Sequence, residues 1–466
     1  MSKIKITILL MGLGIAALVI FIVADFSFQE KLNPTSESFL CEGRPCNVIL
    51  IVSESISARH MGIYGYERDT TPFIDEFFGK EGIVFENAWS NAPWTYPSFA
   101  SLFTSQLAPD IFVETWEDKF SDVIPTFIDI LGVNGIPKFI AHSWTLFPFV
   151  NAHTFIEKFG PKEHFQGEDP FLFSKSSEWI EKQTQQDYGR PFFLLLQPLT
   201  PHSPYDPPEP YRYFFGAPSE YPGPVIYEEI REAQQAMDGG ENVEPELKRF
   251  RLQYDQEIRC LDSQIETFIS RIPEKVRQNT VFIFTSDHGQ ALGQHINIAN
   301  IGWRGTLYEE EIHIPFLVRA PGIDPAMIHQ PITLLDVGPT ILDIFGFKIP
   351  ETFRGISLLP VLRGDELQLA ERIVRAENVH GESLSSKEWS EIKPEVRTES
   401  LPYPRERAVR KQEWKLIQRA DGSLELYNLE KDYKEQNNLI LQWYSLSKEK
   451  QAEVLPLFEV LDKSSP

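Results

Sequence analysis

Three short apolar segments constrain the fold of this chain more than any other feature. They are Asn47–Val52 (NVILIV), Phe192–Gln197 (FFLLLQ) and Val281–Thr285 (VFIFT). Unbroken apolar runs of this length are typical of strands buried on both faces, which occur in parallel sheets covered by helices. Lys138–Ala141 and Ile314–Val318 extend the pattern. We therefore predict an α/β fold with a doubly wound, mostly parallel sheet flanked by helices.

Polar residues with metal-binding side chains follow each of the three segments. Glu54 follows the first, His202 the second, and Asp287 and His288 the third. Ligands in open parallel sheets bind beyond the carboxyl ends of the strands, so these four side chains are predicted to meet in one crevice. Two carboxylates and two imidazoles suit a divalent metal ion of hard to borderline character.

The length of the chain allows more than one structural unit. With 466 residues and 42% hydrophobic content, we expect about two to three domains, or one large α/β domain with an appendix. Strand-like and helix-like segments alternate across residues 47–364, including an amphipathic helix at Arg251–Ile272. The more polar residues 365–466, with strand candidates at Ala408–Arg410 and Trp414–Ile417, are predicted to form a smaller C-terminal α+β subdomain.

The charge balance excludes one class of partner. The chain has 44 Lys and Arg against 67 Asp and Glu, and 44 − 67 gives a net charge of −23. Nucleic-acid binding needs an excess or a run of basic residues to neutralise phosphates, and this composition supplies neither. We therefore predict no nucleic-acid partner.

The amino terminus predicts a membrane anchor. Ile6–Ala24 contains no charged residue and as a helix would span about 28 Å, close to the thickness of a bilayer core. Lys3 and Lys5 precede it and Asp25 follows, which predicts a cytoplasmic tail and an extracytoplasmic body. A cleaved signal peptide is the alternative. The predicted units are residues 1–24 as tail and single transmembrane helix, and residues 25–46 as a stalk.

The three cysteines fit an exported protein. Cys41 and Cys46 could close a small loop beyond the membrane or remain a free pair. Cys260 lies within the amphipathic helix pattern and is predicted to be a buried thiol.

Thr95 is the candidate nucleophile. It precedes a helix-like segment, where backbone N–H groups and the helix dipole stabilise anions. A threonine hydroxyl is too weakly acidic to attack a phosphate unaided and would need a metal ion to hold it as an alkoxide. The structural alternative is that Thr95 is simply a helix N-cap.

Other segments carry weaker signals. The proline-rich Asp206–Glu246 is either a lid beside the site or a surface excursion. His60 and His295 are predicted to be structural or supporting histidines, and His142, at the end of a strand, could line the crevice. The acidic run Glu309–Glu311 is predicted to be a solvated face.

These motifs together resemble the sulfatase family of the alkaline phosphatase superfamily. The matching blocks start with the strand before Glu54 and the stretch GYERDTTPFID from Gly65 to Asp75, and they continue with TSDHGQALG at Thr285–Gly293. YEEE and APG at Tyr308–Gly322, then WKLI and ELYNL, extend the likeness, which runs from Asn47 to Leu429. The resemblance implies an alkaline phosphatase-like fold and a phosphate- or sulfate-ester substrate, which includes esters linked to a lipid or glycan.

The resemblance assigns roles to individual residues. It implies that Glu54, Asp287 and His288 hold one divalent metal ion (Zn, Mn, Mg or Ca), and that Thr95 is a nucleophile that also touches the metal. His202 matches a histidine that contacts the ester or protonates the leaving group. Arg304 stands where many relatives carry a lysine aimed at the bound anion, and its guanidinium could grip two oxygens.

The departures from the family pattern affect the predicted reaction. Sulfatases convert a cysteine or serine to formylglycine within CxPxR or SxPxR, whereas here Thr95 and Phe99 occupy those positions, and Ser55 replaces a second acidic ligand. Threonine cannot form that aldehyde. A glutamate ligand with a threonine nucleophile is similar to the phosphoethanolamine and lipoteichoic-acid phosphotransferases, although these have several membrane spans.

The sequence therefore predicts a membrane-anchored, exported enzyme that hydrolyses or transfers a phosphate ester through a covalent Thr95 intermediate. Sulfate-ester hydrolysis on an anionic glycan or a small ester is the nearest alternative. A relative that binds an anionic glycan without turnover is an alternative of another class.

Overall fold

The computed structural model describes residues 40–41, 44–114, 118, 121, 123–143, 164–186, 189–216, 223–295, 305–364, 369, 372–379 and 405–463. In those ranges no helix is both long and apolar enough to cross a membrane. The predicted anchor at residues 1–24, most of the predicted stalk and Arg304 lie outside them. The anchor therefore remains a prediction.

Strands and helices alternate through most of the described chain. The strands are β1 Leu40–Cys41, β2 Arg44–Pro45, β3 Asn47–Ser53, β4 Ile83–Phe85, β5 Ala88–Trp89, β6 Lys138–His142, β7 His164–Gln166, β8 Phe193–Gln197, β9 Thr280–Ser286, β10 His313–Ile314, β11 Phe316–Arg319, β12 Ala326–Ile328, β13 Ile332–Thr333, β14 Val374–Val379, β15 Arg405–Lys411, β16 Trp414–Gln418 and β17 Leu424–Asn428. The α-helices are α1 Pro72–Gly79, α2 Thr95–Thr104, α3 Phe127–Val133, α4 Asp169–Gln186, α5 Tyr227–Asp238, α6 Glu244–Arg271, α7 Glu274–Arg277, α8 Glu309–Ile312, α9 Val337–Ile344, α10 Leu359–Leu362 and α11 Lys448–Lys463.

The central sheet has eight strands in the order β12-β4-β11-β9-β3-β8-β6-β7. Its strand β3 is buried on both faces, since Leu50 packs into the apolar cluster on one side and Ile49 and Ile51 into the cluster on the other. In register, Leu50 lies beside Ile283 of β9 and Leu195 of β8. The three apolar segments of the sequence are therefore neighbouring central strands, as predicted.

One strand of the central sheet runs against the others. The pairs β9–β3, β3–β8, β8–β6 and β6–β7 are parallel, whereas β11 is antiparallel to both β9 and β4. The predicted strand Ile314–Val318 is divided at Pro315, which has no N–H to donate to a ladder. Before Pro315, β10 joins β5 and β13 in a separate three-stranded sheet, and after it β11 enters the central one. The central sheet is thus mixed, with β11 reversed among strands that are otherwise parallel, and the predicted mostly parallel arrangement is correct.

The carboxyl-terminal end of the predicted stalk packs on this unit. The strands β1 and β2 pair as a short antiparallel hairpin, and a disulfide joins Cys41 to Cys46. Both cysteines belong to a buried apolar cluster of the central unit. Cys260 is a free buried thiol on α6, as predicted.

The proline-rich region contains more regular structure than predicted. The helix predicted at Arg251–Ile272 begins earlier, at Glu244, and α5 occupies Tyr227–Asp238. The buried residues of α5 are Ile230, Ala233, Gln234 and Met237. Their spacing of three and four residues is an amphipathic signal that the neighbouring prolines obscured.

The C-terminal subdomain is a four-stranded antiparallel sheet in the order β14-β15-β16-β17 with one long helix. On one face Val409 and Leu416 pack with Val454 and Leu457 of α11. The other face lies in a cluster with Trp89 and residues near α8 of the central unit. The predicted α+β composition is correct, and the two short predicted strands lie within β15 and β16.

The acidic run Glu309–Glu311 is not a solvated face, because all three side chains are buried, with exposures of 2%, 1% and 2%. Lys415 Nζ lies 2.9 Å from Glu309 Oε1 and 2.6 Å from an oxygen of Glu435, and Arg410 contacts Glu309 as well. Burial raises the pKa of Glu309, but these two cations outweigh burial and hold it at about 2. Cations on β15 and β16, distant in the sequence, therefore explain the burial of Glu309, whereas Glu311 accepts a hydrogen bond from the Thr306 hydroxyl.

We expect Lys415→Met to destabilise the protein strongly. Lys415 is fully buried between Glu309 and Glu435, so its loss removes a buried cation from both carboxylates and leaves Glu309 with Arg410. Removing one partner of a buried ion pair typically costs about 3–5 kcal/mol. Urea unfolding at pH 7 would measure the loss, with Lys448→Met at an exposed position of α11 as control. Equal stability of the two variants would contradict a stabilising role for the network.

Candidate active site

Three adjacent strands deliver the predicted site residues to one edge of the sheet. In the order β9-β3-β8, Asp287 and His288 follow β9, Glu54 follows β3, and His202 follows the turn after β8. His202 Nε2 lies 3.8 Å from Glu54 Oε1, and His288 Nε2 lies 3.5 Å from Asp287 Oδ2. The predicted convergence at the carboxyl ends of the strands is therefore correct for these four residues.

Thr95 lies between the Glu54–His202 pair and the Asp287–His288 pair. Its hydroxyl donates to Glu54 Oε1 at 3.0 Å and lies 3.4 Å from His288 Nε2. The N-cap position of α2 belongs to Trp94, and Thr95 is the first helical residue, with only 4% of its surface exposed. Its side chain thus faces the site and does not cap the helix.

Both histidines present Nε2 to the site. Their Nδ1 atoms lie 2.7 Å from the Gly289 carbonyl for His288 and 2.5 Å from the Ser203 carbonyl for His202. A carbonyl oxygen can only accept a hydrogen bond, so each Nδ1 carries a proton, and in the neutral ring the lone pair lies on Nε2. Burial lowers the pKa of His202 to about 4, and the neighbouring His288 adds to this effect.

Asp287 has one satisfied and one unsatisfied oxygen. Its Oδ1 accepts backbone N–H groups from Ser55 at 3.0 Å and His288 at 2.8 Å. Ser55 adopts a left-handed backbone, with φ of 59°, which belongs to the turn that carries its N–H to Asp287. Within the described residues, Oδ2 is buried without a hydrogen-bond partner. Burial raises the pKa of this carboxyl, and His288 opposes the rise.

Glu54 is fully buried, and both of its oxygens are contacted. Oε1 accepts from Thr95, as described, and Oε2 accepts from Gln197 Nε2 at 2.8 Å. The sequence reasoning placed Gln197 in a strand and missed it as a site residue. One signal could have identified it. Gln197 is a polar amide at the end of an otherwise apolar strand, and that strand lies beside the strands that carry the predicted metal ligands.

Four further candidates have different outcomes. Arg304 lies outside the described residues. His60 Nδ1 pairs with Asp255 Oδ1 at 2.7 Å, and the His295 ring stacks on Tyr308 at 3.8 Å, so both are structural, as predicted. His142 ends β6, is fully buried, and its ring lies 5.9 Å from that of His164.

A separate cavity of about 1030 Å³ lies near these strand ends, between the central unit and the C-terminal sheet. Its lining includes Arg59, Tyr64, His313, Arg410 and Tyr433. The site residues described above do not line it. The candidate site is a compact cluster of buried groups.

Residues 46–347 identify the family of this chain. The family model described as Sulfatase matches residues 46–347, which includes each predicted site residue. This chain belongs to the sulfatase family.

Named relatives of this sulfatase-family chain include arylsulfatases. It is 27% identical over 363 residues to arylsulfatase K of Xenopus laevis, covering 68% of this chain and 66% of the relative. It is 25% identical over 377 residues to an arylsulfatase of Clostridium perfringens, covering 67% and 77%. The chain thus spans slightly less than two thirds of the length of the Xenopus arylsulfatase K.

Solved structures share the sulfatase-family fold. The phosphonate monoester hydrolase of Agrobacterium radiobacter matches with a TM-score of 0.65 and 18% identity, covering 89% of this chain and 95% of that one. A protein solved with its substrate D-glucosamine-2-N,6-O-disulfate matches with a TM-score of 0.66 and 18% identity, covering 90% and 98%.

Sulfatase-family enzymes typically depend on a divalent metal ion, and the residues of this site fit one. Within the described part of the chain, no group of three or more His, Cys, Asp and Glu side chains forms a ready metal cluster. Among the described residues, the buried Asp287 Oδ2 nevertheless has no hydrogen-bond donor, and His288 Nε2 lies 3.5 Å from it. A buried carboxylate oxygen without a donor is costly, and a cation would satisfy it. The ligand set Glu54, Asp287, His288 and Thr95 stays a prediction.

Proposed function

We propose that this protein is a metal-dependent enzyme that hydrolyses or transfers a phosphate ester through a covalent Thr95 intermediate. The observation that carries the proposal is the position of the Thr95 hydroxyl, 3.0 Å from Glu54 Oε1 and 3.4 Å from His288 Nε2. It sits at the amino end of the ten-residue helix α2, where the helix dipole favours negative charge. This arrangement suits a hydroxyl that attacks an anionic ester.

The residues of the site have distinct roles in this proposal. Thr95 Oγ1 forms a bond to phosphorus and releases its proton toward Glu54 Oε1, while the bond to the leaving oxygen breaks with its electron pair. His202 Nε2, 3.8 Å from Glu54 Oε1, takes up this proton and delivers it to the leaving oxygen, so that the leaving group departs as a neutral hydroxyl. Water or another hydroxyl then attacks phosphorus and frees Thr95. A divalent ion held by Glu54, Asp287, His288 and Thr95 would neutralise charge and lower the pKa of the hydroxyl.

Substrate selectivity tests this proposal. Aryl phosphate monoesters and diesters should turn over, and aryl sulfates should turn over far more slowly, because Thr95 forms a phosphothreonine ester but cannot become formylglycine. Mass spectrometry of enzyme quenched during turnover should find phosphate on the peptide that contains Thr95. Robust sulfate hydrolysis without phosphate turnover would overturn the choice of substrate class.

Sulfate-ester hydrolysis is the second candidate function. The observation that favours it is the naming of curated relatives as arylsulfatases, together with the sulfated glucosamine bound to a structural neighbour. It would require Thr95 to act directly as the nucleophile, without the aldehyde hydrate that formylglycine provides. The same substrate panel separates the two candidates. If the protein binds such anions but hydrolyses neither the phosphate nor the sulfate esters, the non-catalytic binding function is the correct one.

We also propose that residues 6–24 anchor the enzyme in the cell membrane with its catalytic unit outside the cytoplasm. The disulfide between Cys41 and Cys46 supports an oxidising compartment. We expect the full chain to fractionate with membranes and a reporter fused after Pro466 to be active only outside the cytoplasm. A reporter active in the cytoplasm would reverse the orientation.

A further inference from the structure

Gln197 bonds to two different segments at the edge of the sheet. Its side chain is fully buried at the end of β8. The amide Nε2 donates to Glu54 Oε2 at 2.8 Å. The amide Oε1 accepts from the backbone N–H and the hydroxyl of Ser143, at 2.9 and 2.8 Å. Because the backbone N–H of Ser143 can only donate, the amide carbonyl must face Ser143 and the NH2 group must face Glu54.

The two oxygens of Glu54 therefore have different partners. Gln197 holds Oε2, and Oε1 is left to Thr95 at 3.0 Å and to His202 Nε2 at 3.8 Å. The terminal torsion of a glutamate side chain is soft, so a carboxylate held on one side only can turn. In a fully buried position, the loss of a hydrogen-bond donor to one of these oxygens also costs free energy. Gln197 removes both problems at once.

The chemistry of the amide suits this position. A lysine or arginine beside Glu54 would neutralise the carboxylate and weaken its attraction for a cation. An amide donates a hydrogen bond and leaves the negative charge intact. The partner of Gln197 is also rigidly placed, since Ser143 directly follows β6, the strand next to β8.

We propose that Gln197, anchored by Ser143, is a positioning residue that orients the Glu54 carboxylate toward the Thr95 hydroxyl and a bound divalent cation. This inference deepens the proposed function and rests on it. Gln197 need not touch the substrate. It acts on the reaction through Glu54, as partners of metal ligands commonly do, and changes to such partners typically cost about 10–100-fold in metal affinity or activity.

The test is the near-isosteric variant Gln197→Met, titrated as full-length apoprotein with Mg²⁺ and Ca²⁺ by calorimetry. We expect an affinity about 10–100-fold weaker than wild type. The kcat for an aryl phosphate should fall more than KM rises, because the substrate contacts remain. Gln253→Met is the matched control, since Gln253 is equally buried but its amide donates to the Gly223 carbonyl, away from the site. The control should bind metal as wild type does.

A second variant keeps the test valid if Gln197→Met folds poorly. Ser143→Ala removes one of the two donors that hold the Gln197 carbonyl, so metal affinity should fall by a few-fold. In the double variant, Ser143→Ala should add nothing to Gln197→Met, because Ser143 acts through Gln197. Additive effects, or wild-type affinity in Gln197→Met, would overturn the role of Gln197. Absence of metal binding by wild type would instead overturn the proposed function, and this inference with it.

Discussion

Replacing Thr95 with alanine is expected to lower kcat/KM for phosphate esters by at least about 10³-fold, as nucleophile removal does in other enzymes that form covalent intermediates. This equals a loss of about 4 kcal/mol of transition-state stabilisation. The reason is that the Thr95 oxygen lies between Glu54 and His288 at the amino end of a helix. Thr95→Ser keeps an oxygen at this place and should retain part of the activity.

The matched control for Thr95 lies on the same helix. Thr104 ends α2, and its hydroxyl donates to the Ala100 carbonyl at 2.7 Å. Thr104→Ala should therefore alter stability slightly and leave turnover intact. Steady-state kinetics on both variants, with circular dichroism to verify folding, gives the measurement. Undiminished turnover in Thr95→Ala would remove Thr95 from the mechanism.

Replacing Asp287 with asparagine is expected to abolish binding of the divalent ion and, with it, activity. Asp287 Oδ2 is buried without a hydrogen-bond partner in the described chain, and an amide at this position carries no charge to attract a cation. At a metal concentration 100 times its Kd, the wild type should gain about 2.7 kcal/mol of stability. This gain should vanish in Asp287→Asn and in Glu54→Gln. Thermal unfolding with and without metal measures it directly.

Asp262→Asn is the control for the loss of a buried carboxylate. Asp262 is also fully buried, but its oxygens accept the backbone N–H groups of Phe73 and Ile74 at the start of α1. This variant should lose stability and keep its response to metal. Elemental analysis of the purified proteins gives an independent check. A full complement of metal in Asp287→Asn would refute the ligand assignment.

Much of the site could be predicted because it depends on strand order in a parallel sheet. Glu54, Asp287 and His288 directly follow apolar runs, and parallel strands bring their carboxyl ends to one edge. Thr95 was harder, because a threonine before a helix is usually a cap. It became a candidate nucleophile through the motifs around it, and the structure places its hydroxyl against Glu54 and His288.

The misread features share a different cause. Glu309–Glu311 was expected to be solvated, yet Lys415 and Arg410 on distant strands pair with Glu309 in the interior. The helix α5 was hidden among prolines, and Gln197 was counted only as the end of a strand. For Glu309 and Gln197 the deciding partner lies far away in the sequence, whereas α5 carries a local signal that neighbouring prolines obscured.

By itself the sequence determined the three central strands β3, β8 and β9 and the site residues that follow them, because an unbroken apolar run and the polar residues that end it are local properties. Tertiary structure alone decided which atoms meet. The reversed direction of β11, the cations around Glu309 and the Gln197 bond that orients Glu54 all depend on contacts across large sequence separations. Hydrogen bonds and ion pairs depend on distances that are defined to within tenths of an ångström. A pattern of residue types does not specify distances at that precision.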